Sequence, residues 1–341
     1  MKRLIAGAMS ALVMLGALTL SGCGEESIVF GGEEYDIYTE SIELKDVKIK
    51  SLDALKSCEM LTSLSLENCE LTDISAIGDL KGLRKLSLNG NHITDISSIK
   101  ELSQLQVLTL SSNSLTDVSA VSSLSHLTYL DIGGNAVDDL SPLTGAVSLK
   151  TLYADETAVT DISPLKGLTD LEELYLSGDA VSDLSPLAKL DHLHTLDVYA
   201  SGIRELGAVG GIASLRELHM GDNPEVSDLS PLASLDKLEI LHAENCGITD
   251  VTPLSSLPRL KELVLTNDSI ADIKPLSSVT TLESLNIEGN YAVSQESAEE
   301  LKAALPSCEI KHSELKTQKE LDKLDPKKAF DTDLEKELGL K

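Results

Sequence analysis

The chain has 341 residues, with 56 acidic against 28 basic side chains and a formal charge of −28. A field of that sign repels phosphate backbones, which argues against nucleic acid as a partner and favours proteins that carry a basic patch. Aromatic residues are 3% of the chain, with no Trp and two Phe, so the core must be built from Leu, Ile and Val.

The chain opens with Lys2 and Arg3, an apolar run from Ile5 to Leu20, and the tetrad Leu20-Ser21-Gly22-Cys23. The run is short for a membrane span and ends in small residues, the order expected of a secretory signal. The tetrad resembles the lipobox of bacterial lipoproteins. That resemblance implies removal of residues 1–22, a diacylglyceryl group on the Cys23 sulfur, and acylation of the new amine, as with palmitate. The protein would then be lipid-anchored at the extracytoplasmic face of a bacterial cell membrane. Several acyl chains anchor stably where one is marginal. The plainer alternative is an ordinary signal with an incidental Cys23. Residues 23–40 form a tether and N-terminal cap, in which Phe30, Tyr35 and Tyr38 are placed to cover an open end of the core.

From residue 41 to 310 the chain repeats. A degenerate unit (Ile42, Leu44, Val47, Ile49, Leu52, Leu55, Cys58) precedes leucines at 61, 83, 105, 127, 149, 171, 193 and 215, a period of 22. They resume at 238, 260 and 282, after one extra residue at Asn223-Pro224-Glu225-Val226. The pattern L-x-x-L-x-L-x-x-[N/C]-x-[LIV] is that of a leucine-rich-repeat solenoid, a fold that grows by stacking and needs no second core. The fold class is therefore α/β: a concave parallel sheet from the x-Leu-x-Leu-x stretches, and short 3₁₀ or helical segments on the convex side.

Within each unit the next residues have structural readings. Asn91, Asn113, Asn135, Asn223 and Asn290 line up at the strand-to-turn corner, where a buried amide can satisfy backbone groups of two turns. Thr157, Asp179, Ser201 and Asp268 can do part of that work. Cys69 and Cys246 take the same slot, and Cys58 and Cys308 fall on apolar slots, so each is expected as a buried thiol without a bridge. The recurring aspartates from Asp73 to Asp272 could suggest a row of metal carboxylates. Capping is the better reading, with Pro142, Pro164 and Pro186 following three residues on at the first helical position. Residues 193–214 replace this Asp with Glu205 and carry Gly207, Gly210 and Gly211, which predicts a looser turn. No long helix follows a strand there, so a phosphate loop is the poorer reading. Ser294 should cap a helix to Ala304, residues 305–310 restate half a repeat, and 311–341 form a charged tail.

The 22-residue spacing, and units such as LEELYLSGDAVSDLSPLAKLDH at 171–192, resemble bacterial surface proteins of the internalin type over roughly residues 40–310. The resemblance implies a right-handed curved solenoid that binds proteins through its concave face. A cell-wall sorting motif and an immunoglobulin-like domain are not seen in this sequence, so no particular partner transfers.

Strand alternation puts Tyr129 and Asp131, Tyr153 and Asp155, Glu173 and Tyr175, Asp197 and Tyr199, Glu217 and His219, and His242 and Glu244 on the open face. Tyr153 and Tyr175 share one slot, about 4.8 Å apart at the backbone. Exposed tyrosines are frequent interface anchors, which makes this cluster the candidate ligand-binding surface. Stacking for sheet stability alone is the rival account. On the first account, alanine at both positions abolishes binding and leaves the melting temperature unchanged. A divalent ion at His219, His242 and Glu244 is conceivable, and a glycan receptor using Tyr faces is a further alternative. No Ser, His and Asp fall into a catalytic constellation, and no cofactor or enzyme activity is expected.

Overall fold

The computed structural model describes residues 27–322; the signal segment, Cys23 and residues 323–341 of the tail lie outside the described residues. A 13-stranded parallel sheet runs from Ser41–Lys45 to Glu309–Lys311 with its strands in chain order. Its register advances one repeat per strand, as in Leu64↔Leu86, Leu130↔Leu152 and Leu196↔Leu218. The pairing Leu218↔Leu241 absorbs the extra residue without slipping a side chain to the other face. The repeat leucines are buried almost completely, as at Leu149, Leu152 and Leu174. This is a leucine-rich-repeat solenoid with a single continuous aliphatic core.

An antiparallel hairpin, Ser27–Phe30 with Glu33–Asp36, precedes the sheet. Gly31 and Gly32 make its turn at φ 62° and 91°, the left-handed conformation that a two-residue hairpin of this type requires. Phe30 is buried on the core, but Tyr38 is 68% exposed and covers nothing. At the other end Ser294 Oγ accepts the Ser297 N–H at 3.2 Å and starts the helix Gln295–Ala304, whose Ala298 and Leu301 close the core. The described part of the tail returns to this helix, where the Gln295 N–H donates to Lys316 O at 2.9 Å.

The convex side is built of 3₁₀ turns such as Ser75–Asp79, Ser141–Gly145 and Ser163–Gly167. The aspartates do hold these turns, but from one position earlier than a helix cap. Asp139 Oδ1 accepts the Ser141 N–H and Oδ2 the Ser141 hydroxyl, both at 2.7 Å, while the cap residue itself is Leu140. The proline correspondingly stands second in the turn, as Pro142 does in Ser141–Gly145. The repeat with Glu205 has only a three-residue turn, Val209–Gly211. Its glycine is a packing requirement, because a Cβ on Gly210 would sit 2.5 Å from the Pro231 carbonyl oxygen of the neighbouring turn.

The corner ladder is the feature that makes stacking possible. Asn91 Oδ1 accepts the N–H groups of Cys69 and Leu71 at 2.9 and 3.0 Å. Its Nδ2 donates to the carbonyls of Leu66 and Leu88, both at 2.8 Å. Asn135, Asn223 and Asn290 repeat the arrangement. Cys69 and Cys246 supply the donor half weakly, through S–H to Glu67 O at 3.3 Å and to Met220 O at 3.2 Å. Both are buried free thiols, and burial pushes the Cys246 thiol up to about 12.

Asp179 and Asp268 fit the ladder only in part. Oδ1 of Asp179 accepts the Thr157 N–H at 2.8 Å, and Oδ1 of Asp268 accepts those of Cys246 and Ile248 at 3.0 Å. The second oxygen of each is buried without a hydrogen-bond partner, where an Asn would present its donor. Burial raises both carboxyls from 3.8 to about 6. A folded-state value above the unfolded one means that the native chain holds the proton more tightly. The two rungs therefore cost nothing below about pH 4 and destabilise the solenoid progressively as pH rises through 6. Asp179→Asn and Asp268→Asn should each raise stability by about 2 kcal/mol near pH 8 and change little near pH 4. Urea denaturation at the two pH values checks this, and an equal effect at both would contradict it.

Candidate ligand-binding face

Register converts the open-face residues into rows. One row runs Asp131↔Tyr153↔Tyr175↔Asp197↔His219↔His242 across adjacent strands. Tyr129 belongs to the other row, opposite Thr151, and reaches diagonally. Tyr153 and Tyr175 stack with ring centroids 4.1 Å apart and planes within 3°, and Tyr129 meets Tyr153 at 5.7 Å with a 39° tilt. All three are half-buried. Burial and a hydrogen bond with Tyr153 hold the Tyr175 phenol well above its usual range, so that hydroxyl stays protonated at any ordinary pH.

The carboxylates beside the stack are mostly tied to the backbone. Asp131 is buried and accepts the Gly133 N–H at 3.0 Å. Asp155 Oδ1 accepts the Ser177 N–H at 3.1 Å. Asp197 Oδ1 accepts the Ser177 hydroxyl at 2.5 Å and the Tyr199 N–H at 3.0 Å, and burial raises its carboxyl above the usual range. These aspartates terminate strands as well as lining the face. Tyr199 leaves the tyrosine run altogether and donates its hydroxyl to Asp222. Glu173 and Glu217 lie half-exposed in Tyr129's row.

The histidines meet each other. His219 Nδ1 and His242 Nδ1 are 3.1 Å apart, with the rings edge to face at 4.6 Å. His242 Nε2 is 3.0 Å from Glu262 Oε1. Glu244 instead folds over Gly221, where a Cβ would come within 2.7 Å of its Cδ, and its Oε2 is buried without a hydrogen-bond partner. The conceivable ion site at His219, His242 and Glu244 is thus corrected. The two ring nitrogens face each other, the outer nitrogen goes to Glu262, and among the described residues no three His, Cys, Asp or Glu side chains converge as metal ligands.

Next to the stack lies a trough of about 740 Å³ that extends toward the N-terminal repeats. Its walls include Glu67, Ser87, Thr109 and Ser111 besides the three tyrosines. The Thr109 hydroxyl donates to Ser87 Oγ at 2.8 Å, and the Ser87 hydroxyl donates to Glu67 Oε1 at 3.1 Å. The open-face residues of repeats 61–126 are mainly Ser, Thr and Asn in the sequence, but no single strand discloses that they form a wall beside the stack, or that Glu262 reaches His242. The row register, extended past the tyrosines in both directions, would have found them.

The family described as Leucine-rich repeat region matches residues 39–186, and Leucine Rich repeats (2 copies) matches residues 236–278. The fold is that of the leucine-rich-repeat solenoids. Among solved structures, this chain is similar to an internalin, InlF, of Listeria monocytogenes: 29% identity, 84% of this chain and 85% of that one, TM-score 0.79. A leucine-rich-repeat protein of Leptospira interrogans shares 20% identity over 80% of this chain and 90% of its own, TM-score 0.58. The plant peptide hormone receptor RGFR1, solved in complex with RGF2, shares 18% over 81% of this chain and 48% of its own, TM-score 0.66. The last two likenesses concern the fold alone. No curated protein matches the sequence.

Half-burial of the ring stack changes the expectation that alanine there leaves stability untouched. Tyr153→Ala and Tyr175→Ala should each destabilise, and a double-mutant cycle should return a coupling of about 1 kcal/mol. Tyr175→Phe keeps the ring and should stay close to wild type. A coupling indistinguishable from zero would mean that the rings do not interact in solution.

Proposed function

We propose that this protein recognises another protein through its concave face, centred on Tyr129, Tyr153 and Tyr175 and the adjoining trough. The partner presents a basic patch to a chain of formal charge −28. The observation that carries this reading is the three-ring cluster set in the wall of the trough. Tyr153 and Tyr175 spend one ring face each on the other, and Tyr129 tilts against Tyr153, so the ligand meets mainly ring edges and hydroxyls beside carboxylates. A sugar needs an open ring face to lie on, which makes the glycan reading the weaker one. Lysine and arginine side chains suit hydroxyls and carboxylates, and Arg in particular is a donor with no acceptor. Leucine-rich-repeat proteins such as internalins mediate protein–protein interaction, which supports the same choice over an enzyme.

The anchoring half of the proposal rests on residues 1–23. Processing before Cys23 and acylation of that residue hold the solenoid at the outer face of a bacterial membrane. Its N-terminal end lies nearest the bilayer, because only Gly24, Glu25 and Glu26 separate Cys23 from the first described strand.

Two experiments test the two halves. Affinity capture from envelope or host-cell extract should retain a basic protein on the wild-type chain. Tyr153→Phe with Tyr175→Phe, which keeps the rings and removes the hydroxyls, should weaken that capture about tenfold, the loss of roughly one to two hydrogen bonds. Retention unaffected by this pair and by Glu67→Gln would move the contact surface elsewhere. Metabolic labelling with palmitate should mark the wild-type chain and not Cys23→Ser, which should leave the membrane fraction. Label on Cys23→Ser would sink the lipoprotein reading.

A further inference from the structure

The concave face carries one constellation that the tyrosine reading does not use. His219 and His242 stand in the row of the ring stack, with Asp197 between His219 and Tyr175. Their Nδ1 atoms are 3.1 Å apart, a hydrogen-bond distance that one shared proton satisfies and two do not. A neutral imidazole can donate from Nδ1 to the other ring's lone pair. When both Nδ1 atoms carry protons, two N–H groups and two positive charges face each other and the contact has to open. His242 remains tied to Glu262 through Nε2 at 3.0 Å, so His219 is the ring left to swing.

The charged groups around the pair come from each adjoining strand. Asp197 stands on one side in the same row, Glu217 two residues before His219, Glu262 on the far strand, and Glu244 at the end of the His242 strand. The carboxylates pull protons toward the pair, while burial and the neighbouring His242 push His219 below the usual histidine range. Burial leads, and His219 is uncharged at neutral pH.

We propose that the His219–His242 pair is a proton gate on the concave face. One proton between the two Nδ1 atoms keeps the contact closed while a cationic partner is held, and on acidification a second proton opens it and places positive charge one row position from Asp197 and two from the tyrosine stack. The partner is then repelled and its carboxylate contacts are partly neutralised. This inference rests on the concave-face reading and adds its regulation.

The test uses the full chain in detergent and a fluorescein-labelled octa-arginine peptide as the cationic probe, followed by anisotropy near pH 7.5 and pH 5.5. Wild type should lose about tenfold in affinity between the two, the effect of a unit charge roughly 10 Å away at intermediate dielectric. His219→Gln with His242→Gln, whatever its affinity near pH 7.5, should change less than about twofold on acidification. In parallel, proton–carbon spectra of chain labelled at its histidines should show His219 and His242 taking up protons in two separated steps. A wild-type affinity that does not respond to pH, a response kept by the double glutamine chain, or independent single-step titrations would each overturn the gate. Equal binding of the peptide to Tyr153→Ala/Tyr175→Ala is a different failure. It removes the concave-face reading, and the gate with it.

Discussion

A solenoid of this kind must turn its chain at every repeat without leaving dry backbone groups unpaired, and one buried side chain per repeat meets that constraint. The corner amide of Asn91 or Asn223 accepts from the turn before it and donates to two strand-end carbonyls, so each repeat is locked to its predecessor by the same residue that bends it. Leaving such groups unmet would cost about 1–3 kcal/mol apiece. The leucines drive stacking, but they are non-directional and would tolerate a slipped register. The ladder is what makes the register unique, and the rows on the concave face inherit that uniqueness.

The departures from asparagine follow the same rule. Serine at 201 keeps one donation, to Leu176 O at 2.9 Å, and cysteine keeps a weak one. Aspartate keeps the accepting half and loses the donating half, which is why its second oxygen is the buried orphan. Asn290 partly covers for Asp268, since its amide donates to the Leu265 carbonyl that faces the aspartate corner. A ladder of mixed rungs is therefore uneven along its length, and it is weakest at Asp179 and Asp268.

Much of this was legible in the sequence because it is periodic. A 22-residue pattern states which residues are buried, which lie on the open face and which repeat departs, and the leucines from 61 to 282 are buried as that pattern requires. What periodicity does not carry is the direction of a side chain within its row. Tyr199 shares the face with Tyr175 but stands two positions further along its strand, within reach of Asp222, so it stops being part of the aromatic run. Gly210 reads as a loosened turn, yet it permits the close approach of Pro231. Glu244 reads as a partner for His242, but the missing side chain at Gly221 draws it over that glycine and leaves Glu262 to take the ring nitrogen. Each of these is decided by a neighbour one repeat away, through a vacancy or a length that no single repeat displays.

The spacing of the sheet also bears on how far a stack of tyrosines argues for binding. Parallel strands about 4.8 Å apart bring identical residues in one row near stacking distance without further design. The 4.1 Å centroid separation of Tyr153 and Tyr175 needs only a small lean of the two rings toward each other. Stacking alone would thus be a packing consequence, satisfied equally by a pair on a polar sheet with nothing beside it. The combination is harder to reach by packing: a third ring arriving from the other row, a hydroxyl wall leading to Glu67, and Asp131, Asp155 and Asp197 in the lining of the same trough. In the C-terminal half of the face the corresponding row positions hold the two histidines and then Val264 and Asn286. The asymmetry between the halves belongs to the side chains, since the backbone beneath them is the same from repeat to repeat.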